Sequence, residues 1–309
     1  MLPDLAAVTG GTGFLGGYVI DALLRAGWRV RVLARGEAVF PAGVEVVRGD
    51  LADVGALGAL VRGAGTVVHA AGLVKARSPA AFMAVNRDGA ARLAGAVGPG
   101  ARVVLVSSQA ARCPSVSAYA ASKRAGEDAA VAALGGGASW VVARPCVVYG
   151  PGDREGLALL RLAGGWAVPS PRPEPRIAMV HARDAAGAIA ALCGGGPSGV
   201  ALEVCDARTD GYGWGELMGA VGVAAGRRPR LVGVPDLAVR LAGMAGDVGG
   251  ALAGRAAMFG RGKAGEFLHR DWGCEGTALV PEGLWRPEVG LAEGLAETVA
   301  WWRARGVRV

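Results

Sequence analysis

A glycine-rich turn near the start of the chain constrains the fold most. The stretch LAAVTGGTGFLGGYVIDALL, residues 5–24, places four glycines between an apolar strand and a helical pattern. Glycines here allow a tight turn and let backbone N–H groups approach a pyrophosphate at the positive end of the helix. GxGxxG alone is weak in a chain with 53 glycines, but this one follows a strand, opens a helix and begins a β–α–β unit. The turn therefore predicts a dinucleotide site, with the cofactor-binding candidates Gly10, Gly13, Phe14, Leu15 and Gly16.

Short apolar runs and helical patterns alternate through the first half of the chain. The predicted strands are Leu5–Val8, Arg29–Leu33, Val44–Arg48, Thr66–His69, Arg102–Val106 and Ser139–Ala143. The predicted helices are Gly13–Arg25, Val54–Val61, Pro79–Ala96 and Ala118–Leu134. Strands that are apolar on both faces and alternate with helices indicate a parallel sheet covered on both sides. We expect an α/β fold with a Rossmann-type, doubly wound parallel sheet, whose ligand lies at the carboxyl ends of the strands.

The pattern changes after about Pro151. The stretch VPSPRPEPR at Val168–Arg176 has four prolines in alternation, so we expect an extended loop there. Helical patterns follow at Gly213–Ala225, Asp236–Ala245 and Leu291–Arg305. We therefore expect a dinucleotide-binding domain, residues 1–160, and a smaller, mainly helical substrate-binding subdomain, residues 161–309, with some segments returning to the first domain.

Composition argues against several classes of protein. The net charge of +7 would suit a nucleic-acid binder, but the arginines are scattered and form no basic block interleaved with aromatics. The uncharged run at residues 185–202 is broken by GGGPSG, which indicates a helix, a turn and a strand, not a membrane span. Five cysteines without a CxxC pair and three dispersed histidines indicate reduced thiols and no metal site. Together with an N-terminus that lacks the pattern of a signal peptide, these features predict a cytoplasmic protein.

The end of the second strand, RVRVLARGE, bears on the choice of cofactor. An acid here would bind the ribose 2′-hydroxyl of NAD, but Ala34 and Arg35 occupy the position, and arginine can pair with the 2′-phosphate of NADP. The sequence therefore favours NADP(H) over NAD(H), with a solvated surface arginine as the alternative. After the third strand, Asp50 and Leu51 are further cofactor candidates. Asp50 either bonds the adenine amino group or serves as a helix N-terminal acid.

A serine, a tyrosine and a lysine form the catalytic candidates. Ser108 follows the strand Arg102–Val106, and Tyr119 and Lys123 lie four residues apart, on one face of a helix. A phenol with a pKa of about 10 is a poor acid–base at neutral pH, and an adjacent ammonium lowers that pKa. The same lysine can hold the nicotinamide ribose, while the serine hydroxyl orients a carbonyl or alcohol. Lys123 is one of three lysines among 33 basic residues, and the wider fork of arginine would replace it poorly.

Taken in order, TGGTGFLG, GDLAD, VVHAAG, VNRDGAARL, VLVSS, YAASK, ARPCVVYGPGD and VHARDAAGAI make a specific set. Over nearly the whole chain, the sequence resembles the extended short-chain dehydrogenase/reductase superfamily, known as the NAD-dependent epimerase/dehydratase family. The resemblance implies catalytic roles for Ser108, Tyr119 and Lys123, with Lys123 also contacting the cofactor, and implies that Asn86 organises the site. It further implies a cofactor loop at Ala70, Ala71 and Gly72, a nicotinamide-side segment at Pro145, Val147 and Val148, and a structural role for His181.

The superfamily includes reductases, epimerases and dehydratases, and three features favour a reductase. Ala34–Arg35 suits NADP, valines occupy CVVYGPGD where sugar-nucleotide members carry asparagine, and Gln109–Ala110 replaces the acidic pair of dehydratases. The resemblance is greatest to members similar to dihydroflavonol reductase and 3β-hydroxysteroid dehydrogenase. We therefore expect an oxidoreductase that transfers hydride between NADP(H) and a carbonyl or secondary alcohol of a small organic substrate.

Two alternatives stay open at this point. One is a nucleotide-sugar epimerase or dehydratase with retained NAD, in which Arg172, Arg176 and Arg183 could hold a diphosphate. The other is a non-catalytic NADP-binding regulatory or accessory protein. By the same resemblance, a homodimer would form through two helices per subunit, one of them Ala118–Leu134.

Overall fold

The computed structural model describes residues 4–135, 137–254, 256–257, 259–274, 276 and 278–309. Its strands are β1 (Leu5–Thr9), β2 (Arg29–Ala34), β3 (Glu45–Arg48), β4 (Thr66–His69), β5 (Arg102–Val106), β6 (Ser139–Pro145), β7 (Val147–Tyr149), β8 (Ala167–Pro171), β9 (Arg176–Ile177), β10 (Met179–His181), β11 (Val200–Val204), β12 (Tyr212–Gly213), β13 (Arg230–Val234) and β14 (Asp271–Trp272). Its helices are α1 (Phe14–Arg25), α2 (Val54–Val61), α3 (Pro79–Phe82), α4 (Asp88–Ala96), α5 (Ala118–Ala133), α6 (Leu157–Ala163), α7 (Ala182–Gly194), α8 (Trp214–Ala224), α9 (Asp236–Leu252), α10 (Arg261–Leu268) and α11 (Leu291–Arg303).

Seven parallel strands form the main sheet, in the order β11-β6-β5-β4-β1-β2-β3. The strand order reverses at β1, which pairs with β2 on one side and β4 on the other. A parallel sheet opens a crevice for a ligand beyond the carboxyl ends of its strands at such a reversal. The expected α/β, doubly wound fold is confirmed.

The central strands of the sheet are apolar and buried along their whole length. Every residue of β1 and β4 is buried, as expected for strands with helices on both faces. On one side, Leu57 and Leu60 of α2 and Leu93 of α4 pack against Val67 and Val103 of the sheet. This packing holds the carboxyl ends of β1, β4 and β5 in place, where the candidate residues lie.

The predicted helix at Pro79–Ala96 contains an irregularity. Between α3 and α4, residues Met83–Arg87 form a π-helical turn. Such turns insert one extra residue and are frequent at functional sites. The turn carries Asn86, and its backbone packs so closely on α5 that a side chain at Gly126 would meet the Asn86 carbonyl oxygen.

The chain folds into two compact units. The first contains the described residues up to Pro145, together with Ala186–Val204 and Ala278–Trp285. The second contains the described residues of Cys146–Ala185, Cys205–Thr277 and Arg286–Val309. The first segment of unit one thus ends at Pro145, whereas the sequence suggested a domain boundary at residue 160. Two later segments of the chain also belong to this first unit.

The second unit has a mainly helical core. Trp214 and Leu217 of α8 pack in one cluster with Leu295 and Trp302 of α11. Helix α9 continues to Leu252, seven residues beyond the predicted end at Ala245. The glycines at 243, 246, 249 and 250 did not end it.

The expectation of a loop throughout Val168–Arg176 was wrong for its first half. Residues Ala167–Pro171 form β8, which pairs in parallel with β13 in a two-stranded sheet. The Arg230 N–H donates to the Trp166 carbonyl. Because backbone groups of a strand bond the same neighbour at every second residue, positions 166, 168 and 170 bond to β13. Pro169 falls on the opposite side, where its carbonyl accepts from the Trp214 indole N–H at 2.9 Å. Proline fits a strand whose missing N–H faces away from its partner.

Candidate active site

The glycine turn between β1 and α1 has the close approach that its sequence predicted. Gly10 has φ +77°, and a Cβ there would lie 2.5 Å from the carbonyl carbon of Ala70. A Cβ on Gly16 would meet the Gly10 carbonyl oxygen. Glycine is therefore required at both positions, by backbone conformation at Gly10 and by packing at Gly16.

The N-terminus of α1 has the donors that an anion needs. Gly13 is its N-cap and provides no side chain, and the first turn, which begins with Phe14 and Leu15, contains no acidic residue. The first N–H groups of a helix have no partner within the helix and carry its positive dipole end. This end of α1 can accept a pyrophosphate.

Two arginines lie near the end of β2. Arg35 follows the strand directly and is exposed, and within the described ranges its side chain is in no ion pair. Arg48 pairs in register with Ala34, and its guanidinium donates to the Gly36 carbonyl. Sequence reasoning did not include Arg48, although its position at the end of the neighbouring strand was a usable signal. Two guanidinium groups at this position suit a dianionic phosphate.

The structure separates the two acids of the GDLAD segment. Asp53 is the N-cap of α2 and accepts from the Ala56 N–H at 2.9 Å. Asp50 is exposed and accepts from the Ala52 N–H at 2.8 Å within the turn. The helix-capping role therefore belongs to Asp53. Leu51 packs into the core and lies against Gly89.

Asn86 fixes the loop that follows β4. Its Oδ1 accepts from the Leu73 N–H at 2.7 Å, and its Nδ2 donates to the Leu73 carbonyl at 3.0 Å and to Ser122 Oγ at 2.9 Å. The loop begins at Ala70, whose N–H donates to the Thr9 carbonyl, and continues through Ala71. A buried amide that bonds both backbone groups of one residue holds that residue in a single conformation.

Lys123 lies beside this loop. Its Nζ donates to the Val106 carbonyl at 2.9 Å, and a Cβ on Gly72 would lie 3.7 Å from Nζ and 3.1 Å from Asn86 Oδ1. Burial lowers the pKa of Lys123 to about 8, and the negative charge of Glu127 partly opposes this. The missing side chain at Gly72 therefore leaves space for the Lys123 ammonium. Because its pKa is lowered, this ammonium loses its proton in mildly alkaline solution.

Tyr119 and Ser108 occupy the positions expected of them on α5 and after β5. Tyr119 lies one turn before Lys123, and its ring is 6.0 Å from that of Phe82. Ser108 caps the 3₁₀ turn Gln109–Arg112, because its Oγ accepts from the Ala110 N–H at 3.2 Å. The neighbouring Ser107 Oγ is buried without a hydrogen-bond partner among the described residues.

A threonine–histidine pair joins the two central strands, and sequence reasoning missed it. Thr9 and His69 are register partners, and Thr9 Oγ1 lies 2.8 Å from His69 Nδ1. Burial, with a smaller contribution from Lys123, lowers the pKa of His69 to about 3. The imidazole is therefore neutral at physiological pH and lies next to the loop at Ala70–Gly72.

The remaining candidates belong partly to the second unit. Pro145 ends β6, whereas Val147 and Val148 lie in β7, which pairs with β10. His181 is fully buried, its ring packs edge-on against Tyr149 at 5.3 Å, and burial lowers its pKa to about 4. This core position agrees with the expected structural role.

Two of the three arginines suggested for a diphosphate already have ion-pair partners. Arg176 is paired with Asp210 and donates to the Gly211 carbonyl, and Arg183 donates to Glu297 at 2.8 Å. These contacts favour structural roles within the second unit. Arg172 is exposed beside Gly233.

Three buried cysteines converge in the second unit, which their wide spacing in sequence concealed. The sulfurs of Cys146, Cys205 and Cys274 lie within 4.8 Å of one another, and Cys146 Sγ is 2.9 Å from Cys274 Sγ. Two thiolates bound to one zinc ion lie about 3.8 Å apart, given Zn–S bonds of about 2.3 Å. This spacing therefore describes a thiol–thiol contact, and the pair would have to separate to ligate one ion.

The second unit also contains an open cavity of about 680 Å³. Two segments line it, residues 206–210 and 287–290, together with Tyr212. At its wall the Tyr212 hydroxyl donates to Asp206 at 2.7 Å, and burial raises the pKa of Asp206.

Comparison with known proteins identifies the family. The profile of the NAD-dependent epimerase/dehydratase family matches residues 6–193, which include the glycine turn, Asn86, Tyr119 and Lys123. The chain belongs to the NAD-dependent epimerase/dehydratase family. It is an enzyme of the extended short-chain dehydrogenase/reductase type, as the sequence motifs implied.

One relative and two solved structures match nearly the full chain. Ceramide reductase of Caulobacter vibrioides (strain NA1000 / CB15N) is 45% identical over 308 residues, covering 98% of this chain and 95% of that protein. The solved structure of MoeE5 with UDP-glucose and NAD superposes with a TM-score of 0.72 at 22% identity, covering 98% of this chain and 99% of that one. UDP-glucose 4-epimerase of Thermus thermophilus with NAD gives a TM-score of 0.66 at 24% identity, covering 97% and 99%. At these identities the two structures support the fold alone. In the described part of the epimerase/dehydratase chain, no helix is long and apolar enough to cross a membrane.

Proposed function

We propose that the protein is a reductase that transfers hydride from NADPH to a ketone carbonyl of a ceramide-class lipid. The observation that carries this proposal is the 45% identity to a ceramide reductase over 98% of the chain. The matched region spans both compact units. It therefore includes the residues that would set the substrate, not only the cofactor-binding fold.

The first unit fits a dinucleotide on its own geometry. The turn at Gly10 and Gly16 has no space for side chains, and the uncapped end of α1 offers N–H groups to a pyrophosphate. Further cofactor contacts are proposed for Asp50, Leu51 and the loop Ala70–Gly72 of the same unit. When bound, a reduced nicotinamide supplies the hydride of the reaction.

Tyr119 is the proposed acid. Its hydroxyl donates a proton to the carbonyl oxygen as that oxygen becomes an alkoxide, and the Lys123 ammonium stabilises the resulting phenolate. Ser108 retains its O–H donor, because its Oγ acts only as an acceptor in the cap to Ala110. That donor orients and polarises the carbonyl. Asn86 acts indirectly, by holding the loop at Leu73.

Arg35, which follows β2, and Arg48, which ends the neighbouring strand β3, support NADPH over NADH. Arg35 carries an exposed guanidinium with no ion-pair partner in the described ranges, and Arg48 points to the same turn at Gly36. No acid stands at the end of β2 to bind a ribose diol.

The direct test is turnover with the keto form of a ceramide, presented in detergent micelles. Purified protein should oxidise NADPH and form the corresponding hydroxyl product, detected by mass spectrometry. Tyr119→Phe should abolish turnover and retain NADPH binding, whereas the matched hydroxyl deletion Tyr18→Phe should retain both. Absence of turnover by protein that binds NADPH would overturn the lipid assignment.

A second candidate is a nucleotide-sugar epimerase with retained NAD. The observation in its favour is the fold shared with MoeE5, whose structure holds UDP-glucose and NAD. Co-purifying NAD and conversion of UDP-glucose would establish it.

A further inference from the structure

Helix α9 presents its large apolar side chains to solvent. Leu237, Leu241, Met244, Val248 and Leu252 are exposed, from 51% at Met244 to 85% at Leu252. Their spacing of three and four residues places them along one side of the helix. A surface helix of a globular protein ordinarily buries such a stripe, and a contiguous exposed stripe marks an interaction surface.

The opposite side of α9 is occupied by small residues. Gly243 packs so closely on α10 that a Cβ there would lie 2.8 Å from Ala264 Cβ, and Gly246 lies against the Phe259 carbonyl. Val239 is the large side chain that α9 contributes to this contact. Helix α9 thus packs on the second unit through the face that carries its glycines, which leaves its apolar stripe exposed to solvent.

The charges of α9 select among partners. Asp236 is paired with Arg270 at 2.7 Å and Asp247 with Arg261 at 2.8 Å, so both acids of the helix are neutralised. Arg240 is exposed and, within the described residues, is in no ion pair. The segment that leads into α9 adds exposed Arg227, Arg228 and Arg230, followed by exposed Leu231 and Val232.

We propose that α9 docks on a membrane surface that contains anionic phospholipid. An anionic lipid–water interface binds segments that combine exposed apolar side chains with cationic ones, as α9 and the stretch before it do. Helix α9 has 17 residues with three charges, so it would lie in the interface and not span the bilayer. A second copy would present the same arginines and no additional acid, whereas anionic lipid supplies the opposite charge, so charge complementarity favours the membrane over a dimer. The inference stands apart from the reductase proposal, because it rests on α9 and its charges.

Vesicle flotation tests the proposal. The protein should float with vesicles of equal amounts of phosphatidylcholine and phosphatidylglycerol, float less with phosphatidylcholine alone, and be released by salt. Leu241→Glu should weaken binding by at least about tenfold, because it places an acid in the apolar stripe. Val39→Glu is the matched control, since it makes the same change at a fully exposed valine outside the stripe, and should bind almost as the wild type.

The readouts keep this result separate from folding and from catalysis. Both variants should keep the wild-type melting temperature, because the two side chains are exposed, and Leu241→Glu should also keep the wild-type NADPH affinity. Equal vesicle binding by Leu241→Glu and wild type would overturn the proposal, as would no binding to either vesicle. A concentration-dependent dimer that Leu241→Glu dissociates would overturn it in favour of a second copy. Loss of reductase activity with intact vesicle binding would affect only the proposed function.

Discussion

Lys123 Nζ donates a 2.9 Å hydrogen bond to the carbonyl oxygen of Val106, the last residue of β5. This bond ties α5, which carries the lysine and Tyr119, to the strand that leads into Ser108. The ammonium therefore adds a direct link between these elements to the packing that already joins them in the first unit. Burial disfavours its charged form and lowers its pKa to about 8.

Replacement of Lys123 should remove activity and alter its pH dependence. Since the pKa is about 8, the ammonium is mostly present at pH 7 and is lost as the pH rises above 8. The kcat of the wild type should therefore fall above about pH 8 in the reductase assay. Lys123→Arg should lower kcat by roughly 100-fold or more, because the wider guanidinium does not fit beside Gly72 and Val106. Full activity of this variant, or a flat profile to pH 10, would contradict the role.

Gly10→Ala should abolish dinucleotide binding and destabilise the fold. The new Cβ would meet the Ala70 backbone at 2.5 Å, in a φ +77° conformation that costs a non-glycine residue roughly 1–3 kcal/mol. Gly17→Ala is the matched control, since a Cβ there meets nothing within 4 Å and α1 is helical at this position. It should bind NADPH normally and gain up to about 1 kcal/mol of stability. NADPH titration and thermal unfolding measure both effects.

Arg35→Ala should weaken NADPH and leave NADH nearly unchanged. A charge-assisted hydrogen bond contributes about 1.5–3 kcal/mol, so the Kd of NADPH should rise roughly 10- to 100-fold. Quenching of tryptophan fluorescence during titration measures both cofactors. Equal weakening of NADH, or tighter NADH binding by the wild type, would remove the argument for NADP(H).

Asn86→Ala should loosen the loop after β4. The Leu73 N–H and carbonyl would lose their side-chain partner, at a cost of about 1–3 kcal/mol for a buried unsatisfied group. Hydrogen exchange should accelerate at the Leu73 amide. Asn86→Asp keeps the acceptor for that N–H and loses the donor, so its Leu73 amide should stay protected. Unchanged exchange in Asn86→Ala would show that the loop is held by other contacts.

His69 should contribute to acid lability. Its pKa is lowered to about 3 in the folded state, so the unfolded state binds more protons between pH 3 and 6.5. The contribution of His69 to the free energy of unfolding is therefore fully present above pH 6.5 and is lost as the pH falls. At pH 5 the loss is roughly 2 kcal/mol. Denaturant unfolding at pH 7 and pH 5 should show a smaller loss in His69→Gln than in the wild type. An equal loss in both proteins would contradict this assignment.

The predictable parts of this structure are those in which local pattern and tertiary environment agree. Thr66–His69 and Arg102–Val106 are strands with the predicted bounds, because their apolar runs are also buried on both faces. The YxxxK pair was predictable because helical periodicity alone places Tyr119 and Lys123 on one face.

Other features depend on contacts that no local pattern contains. The strand at Ala167–Pro171 depends on which side its prolines face relative to β13, a partner about sixty residues away. The Thr9–His69 pair exists because β1 and β4 are neighbours in register. The convergence of Cys146, Cys205 and Cys274 likewise depends on three distant segments of the chain.

The edge strand β11 of the main sheet determines where the chain can be divided into fragments that fold. Strand β6 has β5 on one side and β11 on the other, and β11 lies at Val200–Val204, far beyond the first domain suggested by sequence. A recombinant fragment ending at residue 160 would leave β6 unpaired from Val141 to Pro145, with the buried Val141, Val142 and Ala143, as an open apolar edge. Such edges recruit other chains, so this fragment should aggregate on expression. A minimal dinucleotide-binding domain would need the segments 186–204 and 278–285 joined back to the first 145 residues by designed linkers.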